Sequence, residues 1–346
     1  MSKTGPLDLA AGVGGTIEKS QVLSAVDKYE KYHACYGGKE EERKAEYSDM
    51  ANKYYDLVTS FYEYGWGESF HVTRRWNGES LREGMERHEH FIASQLVLRP
   101  GLKVLDVGCG IGGPLREIAR FSSTSITGLT NNEYHIKRGE ELNRIAGVDK
   151  TCHFVKADFM HVPFPNNTFD AAYAIESTCH APDAYECYKG IYRILKPGCY
   201  FAAYEWCMTD SFDPKNEEHQ KIKAEIEIGN GLPDIRLTGQ LIEALERAGF
   251  EVIWEKDLGP DSDIPWYAHM DKKRLSLSNF RTTGIGRWIT TLMVKALEYA
   301  RLAPEGSVRV QKFLLQAGEG LYEGGRREIF TPMYFFVARK PISGSP

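Results

Sequence analysis

Asp106-x-Gly108-x-Gly110-x-Gly112 places an acid and three glycines at alternate positions, behind the apolar Val104-Leu105 and ahead of Pro114. The apolar residues suit a buried parallel strand, and the glycines permit a sharp turn that a ligand can approach closely. Pro114 fits the first turn of a helix, where its missing N–H costs nothing. Gly108, Gly110 and Gly113 also spell G-x-G-x-x-G, the dinucleotide fingerprint. An acid beside the helix-end N–H groups, however, would repel a pyrophosphate. The second strand, 125–129, runs into Thr130-Asn131-Asn132 without the ribose-binding acid of nicotinamide sites. S-Adenosylmethionine has no phosphate and carries an ammonium, so this motif suits it better. A glycine turn of purely structural use is the competing reading.

Ligands of such a sheet bind beyond the carboxyl ends of its strands. That rule gathers the glycine motif, Thr130, Asn131, Asp158-Phe159 and Glu176-Ser177-Thr178-Cys179-His180 around one crevice. Asp158 is placed to hydrogen-bond an adenine amine with Phe159 against the ring; capping a turn is its alternative. His180 follows a strand end, where a neutral imidazole can accept a proton, although a lone histidine is more often structural. Adjacency to His180 does not by itself make Cys179 a nucleophile. Tyr62, Glu63, Tyr64, Trp66 and Phe70, together with Tyr204-Glu205-Trp206, concentrate rings and carboxylates. Such rings fill cores, or they form a cage whose faces attract a cation without attacking it.

The elements that must position these residues follow from the pattern of the chain. Its 346 residues are ordinary for a globular protein, and the net charge of -5 argues against a nucleic-acid footprint. No run of 18 apolar residues is present, and the N-terminus lacks a secretory signal pattern. Seven scattered cysteines without a C-x-x-C pair indicate neither a disulfide framework nor a metal site. Residues 1–15 read as a loose tail, and the mixed charges of 39–44 as a solvated face. Helices are expected near 22–32, 47–61 and 84–98. From Val104 onward strands and helices alternate, with strands at 125–130, 153–158, 169–177, 200–206, 250–258 and 333–339. Alternation at this spacing predicts an α/β fold with a doubly wound, mostly parallel sheet. The seventy residues before the last strand carry Ile285, Trp288, Ile289, Leu292, Met293 and Leu297 at helical spacing. They should cover something, either as extra core packing or as a substrate lid. The expected divisions are a tail and helical cap (1–83), a core (84–259), a helical lid insertion (260–328) and a last strand with tail (329–346).

These stretches resemble the sterol 24-C-methyltransferases, most closely the plant type. The matching residues are Tyr62-Glu63-Tyr64-Gly65-Trp66-Gly67, 105–114, Ile175-Glu176-Ser177-Thr178-Cys179-His180-Ala181-Pro182 and Tyr204-Glu205-Trp206-Cys207-Met208-Thr209-Asp210. The resemblance implies a class I S-adenosylmethionine-dependent methyltransferase fold with a seven-stranded sheet. It also implies methyl transfer to the side-chain double bond of a Δ24 sterol, usually cycloartenol, with S-adenosylhomocysteine as by-product and no metal. Cofactor contacts would come from Asp106, Gly108, Gly110, Gly112, Thr130, Asn131, His135, Asp158, Phe159 and Glu176. Sterol contacts would come from Tyr62, Glu63, Tyr64, Trp66, Phe70, Tyr204 and Trp206. His180 is the candidate base, followed by Glu205 and then Glu176. The absence of an N-terminal hydrophobic anchor favours the first of two methylations. Val72, His135 and Ser177 stand where relatives usually have Phe, Gln and Ala. The resemblance places the protein peripherally on the cytoplasmic face of the endoplasmic reticulum, leaving a homo-oligomer open, although no basic amphipathic anchor stands out. Competing readings are a tocopherol-like, amine or cyclopropane-forming methyltransferase, and a non-catalytic sterol or S-adenosylmethionine sensor.

Overall fold

The computed structural model describes residues 17–33, 40–65, 67–271 and 284–342, with no side chain described at Ser60, Phe61 or Tyr64. The expected tail at 1–15 and Trp66 lie outside the described residues. Helices α1 (Lys19–Tyr32), α2 (Glu40–Ala45), α3 (Tyr47–Gly65) and α4 (Leu81–Gln95) precede strand β1 (Lys103–Val107). Alternation follows through α5 (Gly113–Ser122), β2 (Ser125–Thr130), α6 (Glu133–Ala146), β3 (Cys152–Lys156), β4 (Phe169–Ile175), α7 (Ala184–Ile194) and β5 (Leu195–Met208). The chain continues with α8 (Glu217–Asn230), α9 (Thr238–Arg247), β6 (Glu251–Asp257), α10 (Gly284–Tyr299), α11 (Ser307–Arg326) and β7 (Phe330–Arg339).

The strands form one sheet in the order β3-β2-β1-β4-β5-β7-β6. Strands β1 to β5 pair in parallel, and β6 pairs antiparallel with β7. This is the doubly wound α/β arrangement that the alternation predicts. Leu105, Val107, Leu129, Ala172, Ala174, Phe201, Ala203 and Phe336 bury one side of the sheet with Cys187, Tyr188 and Ile191 of α7. Helix α4 begins at Leu81 rather than near Gly84. A capping box sets that start: Glu83 N–H donates to Ser80 Oγ at 3.2 Å, and Ser80 N–H to Glu83 Oε2 at 2.8 Å.

The chain divides into two compact units, Glu68–Thr209 with Arg236–Pro265 and Thr331–Pro346, and Met1–Gly67 with Asp210–Ile235 and Trp266–Phe330. The first holds the sheet. The second is helical, with Val22, Val26 and Tyr29 of α1 packed on Met50, Tyr54, Leu57 and Val58 of α3 and on Val310 and Phe313 of α11. This partition differs from the expected boundaries because α8 belongs to the helical unit. A Cβ on Gly229 of α8 would lie 2.1 Å from Ala317 Cβ of α11, so the two helices meet almost backbone to backbone.

Arg43 corrects the reading of 39–44 as a solvated face. Its side chain is 2% exposed, pairs with Glu227 at 3.2 Å and donates through Nε to Pro233 O at 2.9 Å. Arg43→Met should destabilise the protein by about 3 kcal/mol, the lower part of the usual cost of breaking a buried pair. Lys223, 2.5 Å from Glu227, still neutralises the remaining carboxylate. Urea denaturation midpoints test this, and an unchanged midpoint contradicts it.

The helix expected over Ile285–Leu297 is present as α10, but its apolar row does not behave as expected. Ile285, Trp288, Ile289, Leu292 and Met293 are exposed, so they serve neither as core packing nor as a buried lid surface.

Candidate active site

Within the sheet unit, β1 runs into the glycine turn and α5 leaves it. Gly108, Gly110 and Gly112 take φ of +80°, +53° and +80°, backbone that side-chain-bearing residues rarely adopt. Gly108 and Cys109 N–H both donate to Leu129 O, at 2.9 and 3.1 Å, tying the turn to β2. A Cβ on Gly108 would lie 2.4 Å from Ser177 Cβ. Ser177 Oγ in turn donates to Val107 O at the base of the turn, a bond that alanine at this position could not make. Arg116 of α5 braces the far side, donating to Ile111 O at 2.8 Å and pairing with Glu68 at 2.7 Å. Glu68 is thus a brace for the turn. Phe70 lies over the turn, its Cδ2 3.7 Å from where a Cβ on Gly110 would sit.

Asp106, at the end of β1, is 3% exposed and accepts a hydrogen bond from Tyr173 Oη at 2.9 Å. Burial pushes its carboxyl up to about 7; the Tyr173 bond opposes this and the nearby Glu89 charge adds to it. Among the described residues no cation pairs with Asp106.

Thr130 is buried at the end of β2, with Asn131 half-buried beside it. Asn132 caps α6, accepting His135 N–H at 3.1 Å. His135 is buried on the first turn of α6, and desolvation holds its imidazole down to about 3, so it is neutral. Asp158 caps the short turn Phe159–His161, with Met160 N–H donating to its Oδ1 at 2.9 Å. The capping role offered as the alternative for Asp158 is therefore real, and Phe159 is half-buried next to it.

Glu176, at the end of β4, has φ +53°, a strained position for a non-glycine residue. Its Oε1 accepts Val72 N–H at 2.8 Å. Burial lifts this carboxyl to about 8, with His71, Trp206 and the Val72 N–H pulling it back and Glu205 pushing it further. Glu205 accepts a bond from Thr178 Oγ1 and is lifted by burial to about 7, against Thr178 and Arg236. His180 is buried in the turn Thr178–His180. The Cys179 thiol is pushed far up by burial and by Glu205 and Glu176, so it stays protonated and is no nucleophile.

Tyr204 is not a wall residue. It is fully buried, stacked on the His88 ring at 3.6 Å and packed against Phe335 at 4.7 Å, and its hydroxyl donates to His88 O at 3.0 Å. These neighbours leave the ring no exposed surface, at a position where a sterol contact is expected. Trp206, two residues on along β5, is half-buried.

In the helical unit, Tyr62 shares a hydroxyl–hydroxyl hydrogen bond with Tyr54, which donates to Gly229 O at 3.0 Å, and Glu63 is buried. Tyr64 closes α3 with only its backbone described.

Residues 105–203 match the family described as methyltransferase domain, and residues 277–342 match sterol methyltransferase C-terminal. The chain is 73% identical over 335 residues to cycloartenol-C-24-methyltransferase of Arabidopsis thaliana, spanning 97% of this chain and 100% of that relative. This chain belongs to the sterol 24-C-methyltransferase family. It is also 45% identical over 343 residues to sterol 24-C-methyltransferase of Candida albicans, spanning 96% and 91% of the two chains. Geranyl diphosphate C-methyltransferase from Streptomyces coelicolor A3(2) shares the fold, with a TM-score of 0.62 at 15% identity over 85% of this chain and 97% of that one.

Like the family, the enzyme is S-adenosylmethionine-dependent. The residues fit that group, because the positive-φ glycines turn the backbone sharply beyond β1 and Asp106 is a buried acid with no cation paired to it among the described residues. An amino-acid ammonium is what such a carboxylate would bind.

Two functional neighbours escaped the sequence reading. His71 Nδ1 donates to Val72 O at 2.9 Å and Nε2 meets Glu89 Oε1 at 2.9 Å, so both ring nitrogens face acceptors. Burial works against a charged ring, but Glu89, bonded to it, and Glu176 raise its pKa overall, favouring the protonated ring. Ser69 Oγ donates to the same Glu89 oxygen at 2.8 Å. The available signal was α4, where His88 and Glu89 fall on the same buried face as Gly84, Met85, Ile92 and Ala93.

These buried groups predict a pH dependence. Asp106, Glu176 and Glu205 hold protons more tightly folded than unfolded, so their stabilising share is lost as pH rises through about 7 and about 8. His71, raised by Glu89, acts in the same direction. His33 and His135, held near 3, contribute fully above the ordinary imidazole value of 6.5 and lose their share below it. The ligand-free protein should therefore lose thermal stability between pH 6.5 and 8. A melting temperature that is flat or rising over that window contradicts the buried-carboxylate picture.

Proposed function

We propose that this enzyme transfers a methyl group to carbon 24 of cycloartenol and releases 24-methylenecycloartanol. The observation that carries this reading is the 73% identity to a cycloartenol-C-24-methyltransferase over nearly the whole of both chains. When bound, S-adenosylmethionine supplies an electrophilic methyl on a sulfonium, which the sterol double bond can attack in line. Asp106 and the glycine turn would hold the donor's amino-acid end, and Thr130, Asn131, His135, Asp158 and Phe159 would hold its nucleoside. Positive charge then resides on the sterol rather than on sulfur, so total charge in the chamber is conserved. Glu176 and Glu205, lifted to about 8 and about 7, sit at the edge of ionisation, and a nearby positive centre draws each toward its anionic form. Phe70 and Trp206 supply rings that favour a cation without capturing it. After a hydride shift on the sterol, His180 takes the proton from the added methyl, with Glu205 as the second candidate base. The acceptor is bilayer-resident, so the enzyme works as a peripheral protein of the endoplasmic reticulum.

Purified protein given S-adenosylmethionine and a panel of Δ24 sterols, a quinol and a small amine tests the reading by mass spectrometry. Cycloartenol should yield the methylene product. Methylation of the quinol or amine alone, or cofactor binding without S-adenosylhomocysteine release, would overturn it.

A further inference from the structure

Residues Glu68–Val72 cross the glycine turn as a strap. Their backbone passes over the start of α5, where a Cβ on Gly113 would lie 2.2 Å from Glu68 O and 2.5 Å from Ser69 Oγ. The third glycine of the G-x-G-x-x-G spelling thus makes room for protein backbone. From the strap, Phe70 reaches the turn, its Cδ2 3.7 Å from the Cβ position on Gly110, and Val72 N–H donates to Glu176 Oε1 at 2.8 Å. One short segment therefore touches two expected cofactor contacts on different strand ends, Gly110 after β1 and Glu176 after β4.

The ends of the strap are fixed independently. Glu68 pairs with Arg116 of α5 at 2.7 Å, and Thr73 Oγ1 donates to Gly84 O of α4 at 2.7 Å. The middle depends on one carboxylate. Glu89 of α4 is 1% exposed, and its Oε1 accepts from Ser69 Oγ at 2.8 Å and meets His71 Nε2 at 2.9 Å. Those two residues flank Phe70 in the chain, and His71 Nδ1 donates to Val72 O at 2.9 Å, so the grip reaches Val72 as well. We propose that Glu89 is a positioning residue for S-adenosylmethionine, gripping Ser69 and His71 so that Phe70 stays on the glycine turn and Val72 on Glu176. A strap held in advance has no ordering cost left to subtract from cofactor affinity. The inference rests on cofactor binding at the glycine turn and not on which acceptor is methylated.

Isothermal titration with S-adenosylmethionine and hydrogen–deuterium exchange of the ligand-free, full-length protein test it together. Glu89→Ala should weaken binding by about tenfold, the cost of ordering one or two side chains again. Amide exchange across 68–72 should quicken by a similar factor, while β1 and β4 exchange as in wild type. Glu89→Gln keeps an oxygen for both neighbours but no charge, and should bind within about twofold of wild type. Ser69→Ala removes one tie at a half-buried position and should cost about threefold in affinity. Equal losses in Glu89→Gln and Glu89→Ala would assign the effect to charge, and faster exchange spread over β1 and β4 would assign it to fold stability. Either result overturns the proposal, as does a Ser69→Ala protein that matches wild type in both measurements. Wild type that binds no cofactor would overturn the glycine-turn reading and the proposal with it, whereas failure of the proposal alone leaves wild-type binding intact.

Discussion

Asp106→Asn is expected to weaken S-adenosylmethionine binding by roughly 10- to 100-fold, the value of one charge-assisted hydrogen bond to a cation. The substitution keeps size and shape, and the amide oxygen can still accept the Tyr173 hydroxyl now 2.9 Å away. It removes the negative charge and leaves an NH2 group facing an ammonium. A second outcome separates lost recognition from lost structure. Burial holds the Asp106 carboxyl up to about 7, so above that pH the ligand-free protein carries an unpaired buried anion. The Asn variant should therefore be more stable than wild type near pH 8 while binding cofactor less well. Isothermal titration and thermal melts at two pH values read both effects. Unchanged affinity would mean that Asp106 serves the strand and not the ligand.

His180→Ala is expected to cut turnover by about 10²- to 10⁴-fold, the usual contribution of a positioned base. Cofactor affinity should stay close to wild type, because His180 is not among the expected cofactor contacts. A cation that cannot lose its proton must find another exit, so the product mixture should shift toward other alkenes or a water-captured alcohol. Single-turnover product analysis reads this directly. Wild-type product at full rate would transfer the role to Glu205, whose buried carboxyl, lifted to about 7, is the nearest chemical alternative.

The glycine turn was readable because each part has a local cause: apolar strand, positive-φ glycines, helix-opening proline. The doubly wound, mostly parallel sheet followed from the alternation of strands and helices. Tyr204 was misread because β5 is covered on both faces, so Ala202, Ala203, Tyr204 and Glu205 are all buried and no alternation separates wall from core. His71 and Glu89 were missed because their pairing spans 18 residues and needs the docking of α4 to exist. Arg43 hid in a charged run for a similar reason, its partner lying 184 residues away. The Ile285–Leu297 pattern correctly indicated a helix, but periodicity reports only that one face is apolar, not what that face meets.

Strand β7 lies between β5 and β6, yet it follows both in the chain. On the ribosome, β6 emerges with its antiparallel partner still some seventy residues from synthesis, and one border of the growing sheet stays open until Phe330–Arg339 appears. Nascent chains must wait for Phe330–Arg339 before the sheet can close. A premature stop shortly before that stretch would leave two unmatched strand borders exposed, a route to clumping rather than to a slightly shorter enzyme.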